Sequence, residues 1–331
     1  MNLSLEYRPR QSPIGLMRIL KSACRIGLFA LPLLGPSVAS ANDVTTTGPR
    51  ALSVDEIALE LENPVTVLRS VAWDMKYTTY QGNLPEADEQ AAYSSVFTPS
   101  WPIRLSNGKH LLLRATITIN GDQPYWKPVG WIDYPQWLIR QLPDFDETVG
   151  GFESGHGHMD NLAFDIGYGG VSEDGVISMF SIANVAPTSD DRSAMRRQWL
   201  IGPELALGRM TSWGLYGIRA KHLTNIWSGS NPQDVEFDTN ETTLKLFFAY
   251  SLGNGWLIEA NPVILYDWEA VSGNEWTVPV GAGLSRTFML GNVPVKLGVE
   301  IQNHIVSPDR FGPEWLVNLN LTPVFSTRLL R

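Results

Sequence analysis

The sequence predicts an all-β chain closed into an antiparallel transmembrane β-barrel of about 12 strands, preceded by a short N-terminal helix. Three observations carry this: alternating polarity from Val71 to Phe325, connections whose lengths sort by parity, and tryptophans gathered at the ends of predicted strands. Alternation with period two marks strands whose two faces meet different environments. In the stretch 293–303, Val293, Val295, Leu297, Val299 and Ile301 share one face while Lys296, Glu300 and Gln302 share the other. The same pattern places strands near 72–80, 92–99, 110–119, 160–169, 175–182, 198–208, 213–222, 242–251, 255–266, 275–286, 293–304 and 313–325. An even count suits a single-chain bacterial barrel, whose strands alternate apolar-out and polar-in.

Such barrels join their strands by short periplasmic turns and longer external loops. The odd-numbered connections are 81–91, 120–159, 183–197, 223–241, 267–274 and 305–312, and nearly all are longer than the neighbouring 100–109, 170–174, 209–212, 252–254 and 287–292. A soluble sandwich has no reason to sort its loops this way. Trp199, Trp213, Trp256, Trp276 and Trp315 stand at strand ends, where amphipathic rings form girdles at the two water–lipid boundaries.

The N-terminus reads as an export signal. Arg18, Lys21 and Arg25 precede the apolar run Ile26 to Leu34 and the small residues Ala39-Ser40-Ala41, with cleavage expected before Asn42. Met17 is a candidate start. Cys24, the only cysteine, precedes the apolar run, so the mature chain is expected to carry no disulfide and no lipid anchor. Removing residues 1–41 lowers Lys+Arg from 25 to 20 and Asp+Glu from 34 to 33, leaving a net charge of −13. That balance argues against nucleic acid as a partner. No later segment is long and apolar enough for a helical membrane span. The expected organisation is a signal peptide at 1–41, a periplasmic segment at 42–70, the outer-membrane barrel at 71–325 and a C-terminal extension at 326–331.

In the segment before the first strand, Ser53-Val54-Asp55-Glu56 matches a capping box, in which the serine hydroxyl and the glutamate carboxylate satisfy amides at a helix start. Ile57 and Leu61 follow at helical spacing and Asn63-Pro64 supplies a stop, which predicts a helix from about Val54 to Glu62. A helix this short must lean on something. The two readings are a plug at the periplasmic opening and a loosely attached tail.

Four stretches resemble a family of Gram-negative outer-membrane barrels named for the meta pathway of phenol degradation: 60–65 (ELENPV), 186–192 (APTSDDR), 266–269 (YDWE) and 307–315 (SPDRFGPEW). Trp199-Leu200-Ile201-Gly202-Pro203 also looks like the strand after that family's Asp-rich loop, and the likeness spans most of the mature chain. The resemblance implies a closed antiparallel barrel and points toward transport. Two features depart from it: the long loop 120–159, and Ser326 to Arg331 beyond Phe325, where such barrels end at or near the aromatic that assembly machinery reads.

The inward set is expected either to line a pore or to fill the interior by hydrogen-bonding within itself: Arg114, Asp165, Glu204, Arg219, Lys221, Lys245, Glu259, Asn261, Lys296, Glu300, Gln302 and Asn318, with Thr116, Thr118 and Asn320. Charges of both signs favour a paired network or a weakly selective pore. Three other constellations could carry chemistry. His156-Gly157-His158-Met159-Asp160 offers metal ligands but shows no evident third donor, and reads better as a strand approach. Asp234, Glu236, Asp238 and Glu241 alternate like a calcium loop, yet Thr239 stands where an EF-hand needs glycine, so a solvated acidic loop fits better. His222 near Ser228 and Asn225 is the best hydrolase candidate, without a His-x-Ser pair on one strand face.

No metal, cofactor or catalytic set is expected. The function expected is a channel or transporter for small solutes, with hydrophobic or aromatic compounds as the candidate class. The alternatives are a non-conducting structural or surface-interaction barrel and, third, a lipid hydrolase. The expected partners are outer-membrane lipid and lipopolysaccharide, the barrel-assembly machinery and a small-molecule solute.

Overall fold

The computed structural model describes residues 52–128, 150–155, 157–189, 198–228 and 239–325. Helix α1 spans Val54–Glu62. The strands are β1 (Arg69–Gln81), β2 (Ala91–Arg104), β3 (His110–Asn120), β4 (Pro124–Pro128), β5 (Gly150–Ser154), β6 (His158–Met159), β7 (Leu162–Val171) and β8 (Val176–Ala186). After them come β9 (Gln198–Met210), β10 (Gly214–Ser228), β11 (Asn240–Gly253), β12 (Trp256–Ala260), β13 (Val263–Asp267), β14 (Trp276–Leu290), β15 (Val293–Val306) and β16 (Gly312–Phe325).

Each barrel strand pairs antiparallel with its neighbours, and β1 closes on β16 from Arg69↔Phe325 to Gln81↔Gly312. With β12 and β13 counted as one interrupted wall strand, the result is a closed 12-stranded barrel. The expected strand 255–266 is thus broken rather than continuous. Pro262 has no N–H to give, so Asn261-Pro262 leaves the ladder, and the Asn261 amide turns to Glu300 Oε1 at 2.9 Å. Among the described residues no helix is long and apolar enough to cross a membrane.

The face assignment follows the alternation. Leu297, Val299 and Ile301 are exposed while Lys296, Glu300 and Gln302 are buried. Val295 departs from this: it is only 7% exposed and lies two residues into β15, beside the turn after Leu290. It is therefore not a midplane lipid position. Outward tryptophans form two belts. Trp199, Trp227, Trp268, Trp276 and Trp315 lie toward the loop end and Trp101, Trp213 and Trp256 toward the short-turn end. At the latter, Arg69 stacks 4.3 Å from the Trp101 ring and Arg286 5.2 Å from Trp256.

In the two-residue turn between β11 and β12, Asn254-Gly255 has φ of 54° and 77°, the doubly positive conformation that matches strand twist. On the loop side, the insertion after β3 carries the β4–β5 hairpin, which the sequence did not reveal. It is tied to the β15–β16 loop by successive ring contacts: Trp126–Phe152 at 5.1 Å, Phe152–Phe311 at 4.7 Å and Phe311–Tyr80 at 4.5 Å.

Leu319, in the middle of β16 and 45% exposed, tests the inside–outside assignment. Leu319→Arg is expected to cost about 2–4 kcal/mol in urea unfolding from phospholipid vesicles. Gln302→Arg, whose new guanidinium falls beside the Glu300 carboxylate, is expected to cost much less. Equal costs at the two positions would refute the assignment.

Candidate functional site

Helix α1 begins with the full capping box: Glu56 N–H donates to Ser53 Oγ at 3.2 Å and Ser53 N–H to Glu56 Oε2 at 2.7 Å. It ends at Asn63, whose Oδ1 accepts from Val65 N–H at 3.1 Å, while Glu60 Oε1 accepts from Val67 N–H at 2.8 Å. These bonds fold 63–68 into a compact return toward β1. Burial pushes the Glu60 carboxyl above its ordinary range, against the opposing pull of the Val67 amide and the Asn63 side chain. The docking contribution of Glu60 is therefore fullest below the usual carboxylate pKa and weakens as pH rises through the elevated value.

This segment occupies the barrel interior as a plug. It packs against β10, β11, β12, β14 and β15, and its buried Ala58 and Val65 join inward apolar residues including Leu112, Ile177, Met179, Leu215, Phe247 and Leu257. Two glycines give it room. A Cβ at Gly255 would meet Val54 at 2.9 Å, and one at Gly169 would meet Val65 at 2.9 Å. The Gly255 amide also donates to Asp55 Oδ1 at 2.5 Å, anchoring the start of the helix to a short turn.

Above the apolar layer lies a charged one. Arg219 grips Glu204 with two contacts of 2.7 Å, and Arg114 reaches Asp165 Oδ2 at 2.8 Å and Glu204 Oε1 at 3.1 Å. Arg114 Nη1 also reaches the Pro64 carbonyl of the plug at 3.4 Å. On the opposite wall, Lys296 Nζ bridges Glu62 of the plug at 2.5 Å and Glu259 of β12 at 2.8 Å, with Ser285 Oγ donating to Glu259 at 3.0 Å. Gln302 donates to Glu300 at 2.8 Å, and Asn318 and Asn320 both donate to Asp74 Oδ1 at 2.9 Å.

Two luminal cavities flank this layer. One of about 260 Å³ lies against the plug turn and is lined by Arg114, Arg219, Lys245, Glu259, Asn261, Lys296, Glu300 and Asn318 among others. The second, of about 480 Å³ and nearer the loops, includes Thr116, Thr118, Lys221 and Glu241. Asp165, Glu204 and Gln302 support these walls through their bonds rather than lining a cavity. The sequence reading missed Asp74, Glu62, Asn63 and the inward apolar layer. Asp74 was detectable from its parity in Trp73-Asp74-Met75-Lys76, whereas the apolar layer looked like a lapse in alternation.

The other candidates do not assemble. His158 Nε2 meets Asn120 at 3.2 Å while His156 lies outside the described residues, and no cluster of three potential metal ligands occurs among those described. Asp234, Glu236 and Asp238 also lie outside the described residues. His222 Nδ1 sits 2.9 Å from Thr242 Oγ1, while Ser228 Oγ accepts from Asn225 at 2.6 Å, so the three do not form a relay.

No family model matches the chain, and no curated protein matches it in sequence. In fold it is similar to an outer membrane channel from Pseudomonas putida F1, at 11% identity and a TM-score of 0.50, covering 80% of this chain and 98% of that one. The NanC porin is less similar, at 9% identity and a TM-score of 0.43 over 77% and 99% of the two chains. The CymD monoaromatic hydrocarbon channel stands at 9% identity and 0.40 over 78% and 88%. By fold the chain is a closed 12-stranded antiparallel β-barrel.

Lys296 holds two buried carboxylates from different elements, so its loss leaves both unpaired. Lys296→Met is expected to lower stability by about 3–5 kcal/mol in urea unfolding from vesicles, and Glu62→Gln, which keeps a hydrogen-bonding group and removes one charge, by much less. Unchanged stability in Lys296→Met would show that the bridge does not hold plug to wall.

Proposed function

We propose that the protein is an outer-membrane channel for small solutes, with hydrophobic or aromatic compounds as the candidate class, and that α1 narrows it at the periplasmic end. The observation that carries this reading is the interior itself: two separate cavities, one against the plug turn and one nearer the loops, remain in a lumen that the plug does not fill. A barrel serving only as a scaffold has no need of such luminal space. The walls suit solutes of mixed character, since the outer cavity combines Val185, Leu200 and Leu223 with Thr116, Thr118 and Gln198. The resemblance of 60–65 to the meta-pathway barrels supports the same reading, because those residues build the plug turn.

On this reading residues 1–41 are the export signal, 42–70 the periplasmic N-terminal segment that carries α1, and 71–325 the membrane domain. The luminal set from Arg114 to Asn318 lines or braces the path. Lipopolysaccharide and phospholipid surround the outward face, and the assembly machinery reads the strand ending in Phe325, which points outward. The close packing of Ala58 and Val65 favours a second reading, a permanently closed structural barrel.

Proteoliposome swelling separates the two: uptake of small solutes is expected, and its complete absence for a solute panel would favour the closed barrel. Removal of residues 42–62 is expected to leave a folded barrel with raised single-channel conductance in planar bilayers. Unchanged conductance in that variant would contradict a narrowing role for α1.

A further inference from the structure

The cavity beside the plug turn contains an imbalance that the paired network does not explain. Its lining holds four carboxylates and four cationic side chains, a neutral set. Seven of these eight groups have a hydrogen-bond or ion-pair partner. The eighth, Lys245, has none among the described residues, although it stands on β11 opposite Arg219 and faces the cavity. An ammonium carries three donors and no acceptor, so it seeks an acceptor, best of all an anionic one. The carboxylates around it bond elsewhere: Glu62 and Glu259 to Lys296, Glu300 through Oε1 to the Asn261 amide and Gln302, and Asp74 through Oδ1 to two asparagines, so none is within ion-pair distance of Lys245.

A second observation points to the same space. Ser100 Oγ and Asn318 Oδ1, both on the cavity wall, are buried without a hydrogen-bond partner. The lining also has an apolar side, formed by Leu61, Pro64 and the Phe247 ring. Convergent polar groups beside an apolar wall are the ordinary composition of a small-molecule site.

We propose that this cavity binds a small aromatic carboxylate, its carboxylate accepting from Lys245 Nζ and Ser100 Oγ and its ring lying against Phe247. A ring hydroxyl would complete the match by donating to Asn318 Oδ1. The proposal deepens the channel reading, on which it rests for the passage of the solute, by naming a charged aromatic acid as the class recognised inside the lumen.

The test is equilibrium binding by titration calorimetry to the whole mature barrel in nanodiscs, with three probes of one ring size: 4-hydroxybenzoate, 4-hydroxybenzyl alcohol and 4-hydroxybenzylammonium. The carboxylate is expected to bind at least about tenfold more tightly than the alcohol. Lys245→Met is expected to abolish that preference and Lys245→Arg to keep most of it, both with the heat-modified gel mobility of the folded barrel. If Lys245→Met fails to fold, Ser100→Ala carries the test and is expected to reduce the preference several-fold. Equal binding of the three probes, tighter binding of the ammonium compound, or a preference that survives both Lys245→Met and Ser100→Ala overturns the proposal. Binding with no uptake in swelling assays leaves the site standing and defeats the channel reading; uptake without selective binding does the reverse.

Discussion

A chain in hydrocarbon has no water to satisfy its peptide groups, and each unpaired N–H or C=O there costs several kcal/mol. Closing β1 on β16 removes the two free sheet edges and meets that demand around the whole circumference. Everything inside the barrel depends on this closure, because it fixes which side chains converge on a space that lipid cannot enter. The interruption at Asn261-Pro262 shows the rule at work: the Asn261 amide that leaves the ladder finds a carboxylate in the interior.

Within that wall the interior is arranged in layers. Toward the short turns it is apolar and filled by α1; above this, charges of both signs are paired; nearer the loops, a wider cavity has mixed lining. The paired layer also couples the plug to the wall at two separated places, Arg114 on Pro64 and Lys296 on Glu62. Breaking one buried partner is costly because the other stays behind as an uncompensated charge. The plug is thus held by groups that also line the cavity beside it.

The barrel was legible in the sequence because a wall with lipid on one side and a polar lumen on the other imposes alternation, and β14 to β16 show it cleanly. The plug helix was legible from Ser53 and Glu56, whose capping role is local. Docking was one of the two readings its shortness allowed; what decides for it was not legible, since it depends on Leu112, Phe247 and Leu257 occupying inward positions where the general pattern calls for polar residues. The β4–β5 hairpin escaped notice because it pairs only with itself, and the break in the ninth wall strand was overlooked although Pro262 announced it. The luminal charges were placed by parity alone. Which of them pair, and that Lys245 has no partner among the described residues, follows from distances across the lumen that no single strand's pattern contains.

The central claim, that α1 sits packed inside the closed barrel, is tested most directly by hydrogen–deuterium exchange of the mature protein in nanodiscs. The amides from Ala58 to Glu62 are expected to be protected to an extent approaching that of the adjoining barrel strands. Exchange of these amides at the rate of an unstructured peptide would contradict the account.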